Sequence, residues 1–337
     1  MKTIKINFAD FEETFNYEDN FIYNTLKKYY DIEISEKPDY LFFSVFSDEN
    51  LAYDCVKIFY TGENLCPDFN LCDYAIGYEY LDYQDRYFRL PYYMRTEKIC
   101  RLMETKDKNC EDKLAERKFC NFVYSNQDAD KIRKEFFEKL SEYKKVDSGG
   151  TYLNNTGERC GDKLAFQRQY KFSIAFENSS HPGYTTEKLA DAFAAQTVPI
   201  YWGDTKVREV FNPEAFIFLE NENEMGEIIQ KIRELDHDNE KYMKMLREPA
   251  LKEQDKGYEY CQKEFTKFLK NIFEQDIEKA YRRNRVFWGE YYQKKHLQYY
   301  KDHVELLTYK TCLQKMIPLK GIRSTVKKML GNREGNK

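Results

Sequence analysis

Residues 170–204 read YKFSIAFENSSHPGYTTEKLADAFAAQTVPIYWGD. The opening run, 171–177, is mostly apolar and aromatic, the composition of a buried strand. Residues 178–185 supply Asn, Ser, Ser, His, Pro and Gly, which is turn chemistry. From Thr186 the apolar side chains shift to helical spacing, at Leu189, Ala190, Phe193 and Ala194. Residues 198–202 read as a second strand, closed by Gly203 and Asp204. Strand, turn, helix and strand in this order outline a βαβ unit. In open α/β sheets, ligands bind where strands end and helices begin.

One residue of this unit sits against the ordinary rules. Thr185 or Thr186 suits an N-cap, and Glu187 suits a first helical turn. Lys188 instead puts a cation at the positive end of the helix dipole, which costs about 0.3–1 kcal/mol on an exposed surface. A phosphate bound there would reverse the sign, because it would meet backbone N–H groups and an ammonium together. Lys188 therefore reads either as a solvated surface lysine or as an anion ligand. Glu187 reads either as helix decoration or as an acceptor for a sugar hydroxyl.

The same pattern occurs upstream. Residues 119–124 (FCNFVY) start a strand–helix series, Ser125 and Asn126 form its turn, and Ile132, Phe136, Phe137 and Leu140 give the helix its apolar face. Arg133 lies in the first turns of that helix, a second cation near a positive helix end. Taken alone it reads as solvated. Taken with Lys188 it suggests two helices of one sheet opening on one anion, Arg133 gripping phosphate oxygens in pairs and Lys188 acting as a point charge. A short strand at 144–147 and a loop at 148–162 (SGGTYLNNTGERCGD) separate the two helices. Beyond the central unit come a strand at 215–219 and helices at 224–235, 239–247 and 258–273. Strand and helix alternate throughout this half, as in a Rossmann-like domain.

The first hundred residues repeat the alternation. Residues 3–8, 40–46 and 56–60 read as strands and 21–30 as a helix. The strand at 56–60 ends in Thr61-Gly62-Glu63-Asn64, so by position alone Glu63 reads either as an ordinary loop glutamate or as a carboxylate at the end of a buried strand, where α/β sheets place ligand contacts. The patch LDYQDRYFRLP, with Asp82, Asp85, Arg86 and Arg89, reads as surface ion pairs. Residues 96–118 are charged, weakly patterned and linker-like. The chain thus divides at about 1–115, 116–275, a helical region at 276–312 and a tail at 313–337. In the tail, LKGIRSTVKKML sets Leu319, Ile322, Val326 and Met329 on one side and Lys320, Arg323, Lys327 and Lys328 largely elsewhere, with no acid across 313–331. The segment reads either as a helix lying on an anionic membrane surface or as a disordered basic tail or a helix docked on its own protein; the first is the expectation.

Composition narrows the function classes. At 337 residues, 42% hydrophobic and 33% charged, the chain suits two soluble domains. No apolar run approaches the 18 or so residues a bilayer requires. The start, MKTIKINFADFEE, has no signal core, so a cytoplasmic, membrane-peripheral protein is expected. Nine cysteines without a CxxC pair argue against a disulfide framework or a zinc site. A net charge of −4 argues against wholesale nucleic-acid binding. Asp128-Ala129-Asp130 and Asp236-His237-Asp238 read as chance pairs among 58 acids, the first at an N-cap and the second in a link between helices. His181, His237, His296 and His303 lack ligand spacing and an obvious carboxylate partner.

The stretch FENSSHPGYTTEKLADAFAAQTVPIYWGD resembles the signature of the glycosyltransferase family 10 α-1,3-fucosyltransferases of bacterial type, through FEN, Tyr-x-x-Glu-Lys and Pro-Ile-Tyr-Trp-Gly. The resemblance implies an α/β GT-B fold, two Rossmann-like domains facing a cleft, followed by C-terminal helices. It implies inverting transfer of L-fucose from GDP-fucose to the GlcNAc of an N-acetyllactosamine-type acceptor, as on a lipopolysaccharide side chain. FYTGEN, residues 59–64 here, implies Glu63 as the general base. The helix after FVxSN implies Arg133 on phosphate. Tyr-x-x-Glu-Lys implies Tyr184, Glu187 and Lys188 on the donor, with Asn178 of FEN beside them. No metal is required, and stimulation by Mg²⁺ or Mn²⁺ stays open, as do α-1,3 against α-1,4 linkage, acceptor length and oligomeric state. Two departures stand out. His181-Pro182 replaces a more glycine-rich turn, and the seven-residue repeats of some bacterial members are absent. Another nucleotide sugar as donor, or a non-catalytic glycan-binding role, are the competing readings.

Overall fold

In a computed structural model of the chain, which describes residues 1–105 and 114–316 with the side chains of 305–316 left out, the strands form two parallel sheets. The first contains β1 (Lys2–Ala9), β2 (Tyr30–Ile34), β3 (Tyr40–Phe43), β4 (Val56–Tyr60), β5 (Tyr74–Gly77) and β6 (Tyr87–Arg89), in the order β2-β1-β3-β4-β5-β6. The second contains β7 (Lys118–Phe122), β8 (Val146–Ser148), β9 (Tyr170–Phe176), β10 (Val198–Trp202) and β11 (Ile217–Phe218), in the order β11-β10-β9-β7-β8. Every pairing within both sheets is parallel. This is the expected GT-B arrangement. Parallel strands are covered on both faces and therefore read as continuous apolar runs; β3 (YLFF) and β9 (YKFSIAF) are buried along their whole length.

The central unit forms as its spacing predicts, with helix Glu187–Ala194 between β9 and β10 and Ile174 opposite Ile200 in register. Other elements depart from expectation for definable reasons. The helix expected over 21–30 stops at Leu26, capped at its start by the Asn20 side chain, and Tyr30 turns into the edge strand β2. Its sequence, YDIEI, is too polar on its exposed positions to register as a core strand. The patch read as surface ion pairs contains β6, and Arg86 serves the backbone there. Its guanidinium donates to the carbonyls of Phe69, Cys72 and Asp73. Arg89 stacks over Tyr80 and donates to the Tyr78 carbonyl. Asp85 does pair at the surface, with Arg282. The helical region after 276 is broken, into Ile277–Ala280 and Trp288–Met316. The basic stretch from Ile317 onward lies outside the described residues.

The two sheets share apolar packing. Part of the expected linker is the helix Glu97–Glu104, which packs on helix Glu187–Ala194 of the central unit. Tyr93 of the first half meets Phe211 of the second at 5.3 Å between ring centroids, and Phe211 in turn stacks on Phe193. The helix Tyr258–Glu274 follows the second sheet in sequence but packs on the first, with Phe273 against Tyr30, Tyr40 and Phe42 and Phe268 against Tyr74. Apolar burial thus fixes how the halves meet on one side and leaves the strand C-termini free to form a cleft.

The middle of β4 buries a lysine. Lys57 is fully buried and its ammonium has no hydrogen-bond partner. Burial, reinforced by the neighbouring Arg283 guanidinium, lowers its pKa to about 8. Asp73, bonded to the Lys57 amide and ion-paired with Arg283, is the nearby counter-charge. The folded form releases the Lys57 proton near pH 8 and the unfolded chain only near pH 10.5, so stability rises with pH across that interval. Replacing a buried charge by an apolar side chain of similar length is often stabilising. Lys57→Met is therefore expected to unfold at higher urea at pH 7, by roughly 3 kcal/mol if the whole shift is recovered, and to lose the rise between pH 8 and 10. Urea titrations at the two pH values check both.

Candidate functional site

At the C-terminal ends of β7, β8 and β9 lies a cavity of about 360 Å³. Val123, Tyr124, Ser125 and Asn126 follow β7; Gly150, Arg159, Cys160, Gly161 and Lys163 come from the loop and helix start after β8; Asn178 follows β9. Arg133, Glu187 and Lys188 complete it from the starts of two helices. Its wall carries four cationic side chains, Arg133, Arg159, Lys163 and Lys188, and one carboxylate, Glu187. Expected residues Arg133, Asn178, Glu187 and Lys188 thus meet in one place.

Arg133 is not solvated; it is 1% exposed. One amino group donates to Asn178 Oδ1 at 2.7 Å and to the Phe176 carbonyl at 3.2 Å, and the guanidinium lies over the Tyr124 ring at 4.2 Å from its centroid. Its Nε is buried without a partner. A charged donor held by carbonyls and a ring face, with spare hydrogen-bonding capacity, is preorganised for an anion. Asn178 therefore orients Arg133 as well as lining the cavity. Just before the helix, whose N-cap position is Lys131, Asp130 Oδ1 accepts from the Ile132 amide at 3.0 Å.

Lys188 is held by three oxygens. Its ammonium lies 2.8 Å from Thr186 Oγ1, 3.3 Å from Glu177 Oε2 and 3.3 Å from Glu187 Oε1. Burial opposes the charge, but the carboxylates of Glu177 and Glu187 outweigh it and hold the ammonium well above the usual lysine range. Glu187 is partly exposed; burial works against its charged form too, yet the Lys188 and Lys163 ammoniums bring its carboxyl down to about 2. It is an ionised acceptor at neutral pH. Thr186 occupies the N-cap position, but its hydroxyl turns to Glu177 Oε2 at 2.5 Å instead of capping.

Glu177 is the residue the sequence reading passed over. It is fully buried at the end of β9. Its Oε1 accepts from the amide of Thr186, the N-cap residue, at 2.8 Å. Burial pushes its carboxyl up and Lys188 pulls it back. Gly203 is required beside it: with φ of +146°, a Cβ there would fall 2.4 Å from Glu177 Cγ. The glycine of Pro-Ile-Tyr-Trp-Gly makes room for the acid of Phe-Glu-Asn. Arg159 and Lys163 were also missed, because nothing local distinguishes them in a polar loop.

Glu63 and Tyr184 do not line this cavity. Glu63 is exposed on the loop after β4. Its neighbour Asn64 bridges to the second half, donating to Ser179 Oγ at 2.6 Å and accepting from the Tyr78 hydroxyl. Tyr184 is buried, edge-on to Tyr78 at 5.1 Å, and its hydroxyl feels the charges of Glu177, Lys188 and Glu63. Burial, and then Glu177, raise its pKa well above the tyrosine range.

Two expectations are corrected. Asp236 lies within the helix Met225–His237, not in a link; its carboxylate is buried against Lys144 and Lys171. His181 does have a carboxylate partner, since its Nε2 lies 2.9 Å from Glu79 Oε1, across the cleft. Among the described residues neither Asp-x-Asp pair joins a cluster with metal-ligand geometry.

Known proteins resemble this chain over most of its length. The family profile Alpha-(1,3)-fucosyltransferase FucT N-terminal domain matches residues 6–95, and Glycosyltransferase family 10 (fucosyltransferase) C-term matches residues 114–268. Alpha-(1,3)-fucosyltransferase FucT of Helicobacter pylori is 33% identical over 318 residues, 82% of this chain and 66% of that protein. A 3-galactosyl-N-acetylglucosaminide 4-alpha-L-fucosyltransferase of Bos taurus is 34% identical over 136 residues, 40% of this chain and 37% of that protein. The chain thus spans just under two thirds of the first relative's length and much less of the second's. A crystal structure of an alpha1,3-fucosyltransferase with GDP-fucose superposes with a TM-score of 0.69 at 31% identity, over 82% of this chain and 92% of that one.

Glu177→Gln keeps the shape and removes the charge beneath Lys188. Breaking a buried pair from one side costs about 3–5 kcal/mol, so the variant's urea midpoint is expected to fall accordingly. An unchanged midpoint would show that the pair is not what holds the helix start.

Proposed function

This chain belongs to glycosyltransferase family 10, and we propose that it transfers L-fucose from GDP-fucose to the GlcNAc of an N-acetyllactosamine-type glycan, forming an α-1,3 linkage with inversion. The observation that carries this reading is the convergence of Arg133 and Lys188, from the starts of two helices, on one cation-rich cavity. In inverting transfer the acceptor oxygen attacks the anomeric carbon as its proton passes to a base and the bond to the diphosphate breaks. Glu63 is the proposed base. Arg133, Lys188 and the positive end of helix Glu187–Ala194 take the charge that develops on GDP. Arg159 and Lys163 add to that field. Glu187 accepts hydrogen bonds from the donor sugar or its ribose, and Tyr184 contributes to the donor side. Because the cations are held by protein oxygens before the substrate arrives, little reorganisation is needed during the reaction.

The same proposal places the protein on the cytoplasmic face of an anionic membrane through the basic residues of 313–337, acting on a lipopolysaccharide side chain or similar surface glycan. No helix among the described residues is long and apolar enough to cross a membrane.

Glu63→Gln is expected to lower transfer by about 10²–10⁴-fold while GDP-fucose binding, read by calorimetry, is retained. Turnover at the unmodified rate would remove Glu63 as the base. GDP-mannose and UDP-sugars in the same titration test the donor, and linkage analysis of the product tests the acceptor position. Truncation after Met316 is expected to abolish co-sedimentation with phosphatidylserine-containing vesicles; a truncated chain that still pellets would place membrane binding elsewhere.

A further inference from the structure

Beside the cleft, three side chains from three separate loops converge. Cys66 follows β4, Glu79 follows β5, and His181 lies in the turn after β9 of the other sheet. Cys66 Sγ lies 2.7 Å from Glu79 Oε1, and His181 Nε2 lies 2.9 Å from Oε1 and 3.0 Å from Oε2 of the same carboxylate. One donor atom from each residue falls within 4.8 Å of the others. Neither domain brings this set together alone.

We propose that Cys66, Glu79 and His181 form a Zn²⁺ site that clamps the two halves of the protein together across the cleft. Zinc bonds of about 2.3 Å to sulfur and 2.0–2.2 Å to nitrogen and oxygen, at tetrahedral angles, set the donors roughly 3.4–3.6 Å apart. The carboxylate contacts at 2.7 and 2.9 Å then open by less than about 1 Å. A thiolate, an imidazole and a carboxylate make a borderline-soft set that favours Zn²⁺ over Mg²⁺ or Mn²⁺. The fourth position is left to water. On binding, the metal takes the place of the thiol proton, which passes to solvent.

The surroundings hold the ligands in place. The Glu79 carbonyl accepts from the Tyr87 hydroxyl. The His181 ring meets the Tyr78 ring edge-on. The turn carrying His181 is pinned at Gly183, whose amide donates to buried Asp204 at 2.7 Å. Gly183 has φ of +88°, and a Cβ there would fall 2.4 Å from the Tyr78 carbonyl oxygen. The turn therefore sits directly on the segment that bears Glu79. Cys66 is exposed, so a metal ion has a route in. Glu63 is three residues from Cys66 and Tyr184 three from His181, so the clamp would fix the spacing between the proposed base and the donor side without touching the diphosphate.

The test uses the full chain, stripped with a chelator and titrated with Co²⁺ as a spectroscopic probe, and needs no transfer assay, so it stands apart from the activity proposed above. One equivalent of Co²⁺ is expected to give a thiolate charge-transfer band that Zn²⁺ displaces. Zn²⁺, but not Mg²⁺, is expected to raise the melting temperature. Cys66→Ser and His181→Ala should each weaken metal binding by more than about tenfold and lose the Zn²⁺-dependent rise, while Cys261→Ser keeps both. X-ray absorption at the zinc edge of the unmodified chain, which requires no variant to fold, should read one sulfur among the donors. Absence of the band, a sulfur-free shell, or a band that persists in both variants overturns the site.

Discussion

The arrangement depends on one buried knot. Glu177 at the end of β9 binds the amide and hydroxyl of Thr186 and, with Glu187, the ammonium of Lys188. The carboxylate holds the N-cap residue Thr186 by its amide and hydroxyl, so the backbone that opens helix Glu187–Ala194 is fastened to the strand that precedes it. It also offsets a cation placed at a positive helix end, where an unpaired lysine would be unfavourable. Burying a single charge there would be strongly destabilising; burying it among its partners leaves a fixed cation at the cavity wall. The same bonds therefore hold the βαβ unit together and shape the site for anions.

Arg133 solves the same problem by different chemistry. It too sits in a first helical turn, but it is surrounded by carbonyls, an amide oxygen and the Tyr124 ring, with no carboxylate among these contacts. Its charge is less compensated than that of Lys188, and its Nε keeps a buried donor in reserve. Helix dipoles, one partly compensated lysine and one less compensated arginine make a graded field over a short distance. That field suits a diphosphate, which carries more charge after its bond to the sugar breaks than before.

The halves are joined in two ways. On one side the junction is apolar, through Tyr93, Phe211 and Phe193 and through helix Glu97–Glu104 on helix Glu187–Ala194. Across the cleft it is polar, through Asn64 with Ser179 and Glu79 with His181. Apolar burial is insensitive to direction and sets the overall approach, whereas hydrogen bonds are directional and set the register of the facing loops. Glu63 lies in one of those loops and Tyr184 in the other, so their separation follows from the polar contacts.

The sequence alone determined the βαβ core, the alternation in both halves and the two cations at helix starts. Those signals are local: apolar periodicity specifies which face is buried, and a charge in the wrong turn is visible within a few residues. It did not reveal β2 or β6, because an edge strand and an arginine-backed strand look polar. It also assigned helix Tyr258–Glu274 to its neighbours in sequence, since an amphipathic face does not name the surface it will cover. Glu177 was legible only as part of a motif; its burial, and the need for Gly203 beside it, arise from contacts between strand ends. Cysteine spacing argued against a zinc site, yet Cys66, Glu79 and His181 meet because two sheets do. Only the tertiary structure decided which charges are paired, which are held in reserve and which loops face each other, because those facts depend on distances between segments far apart along the chain.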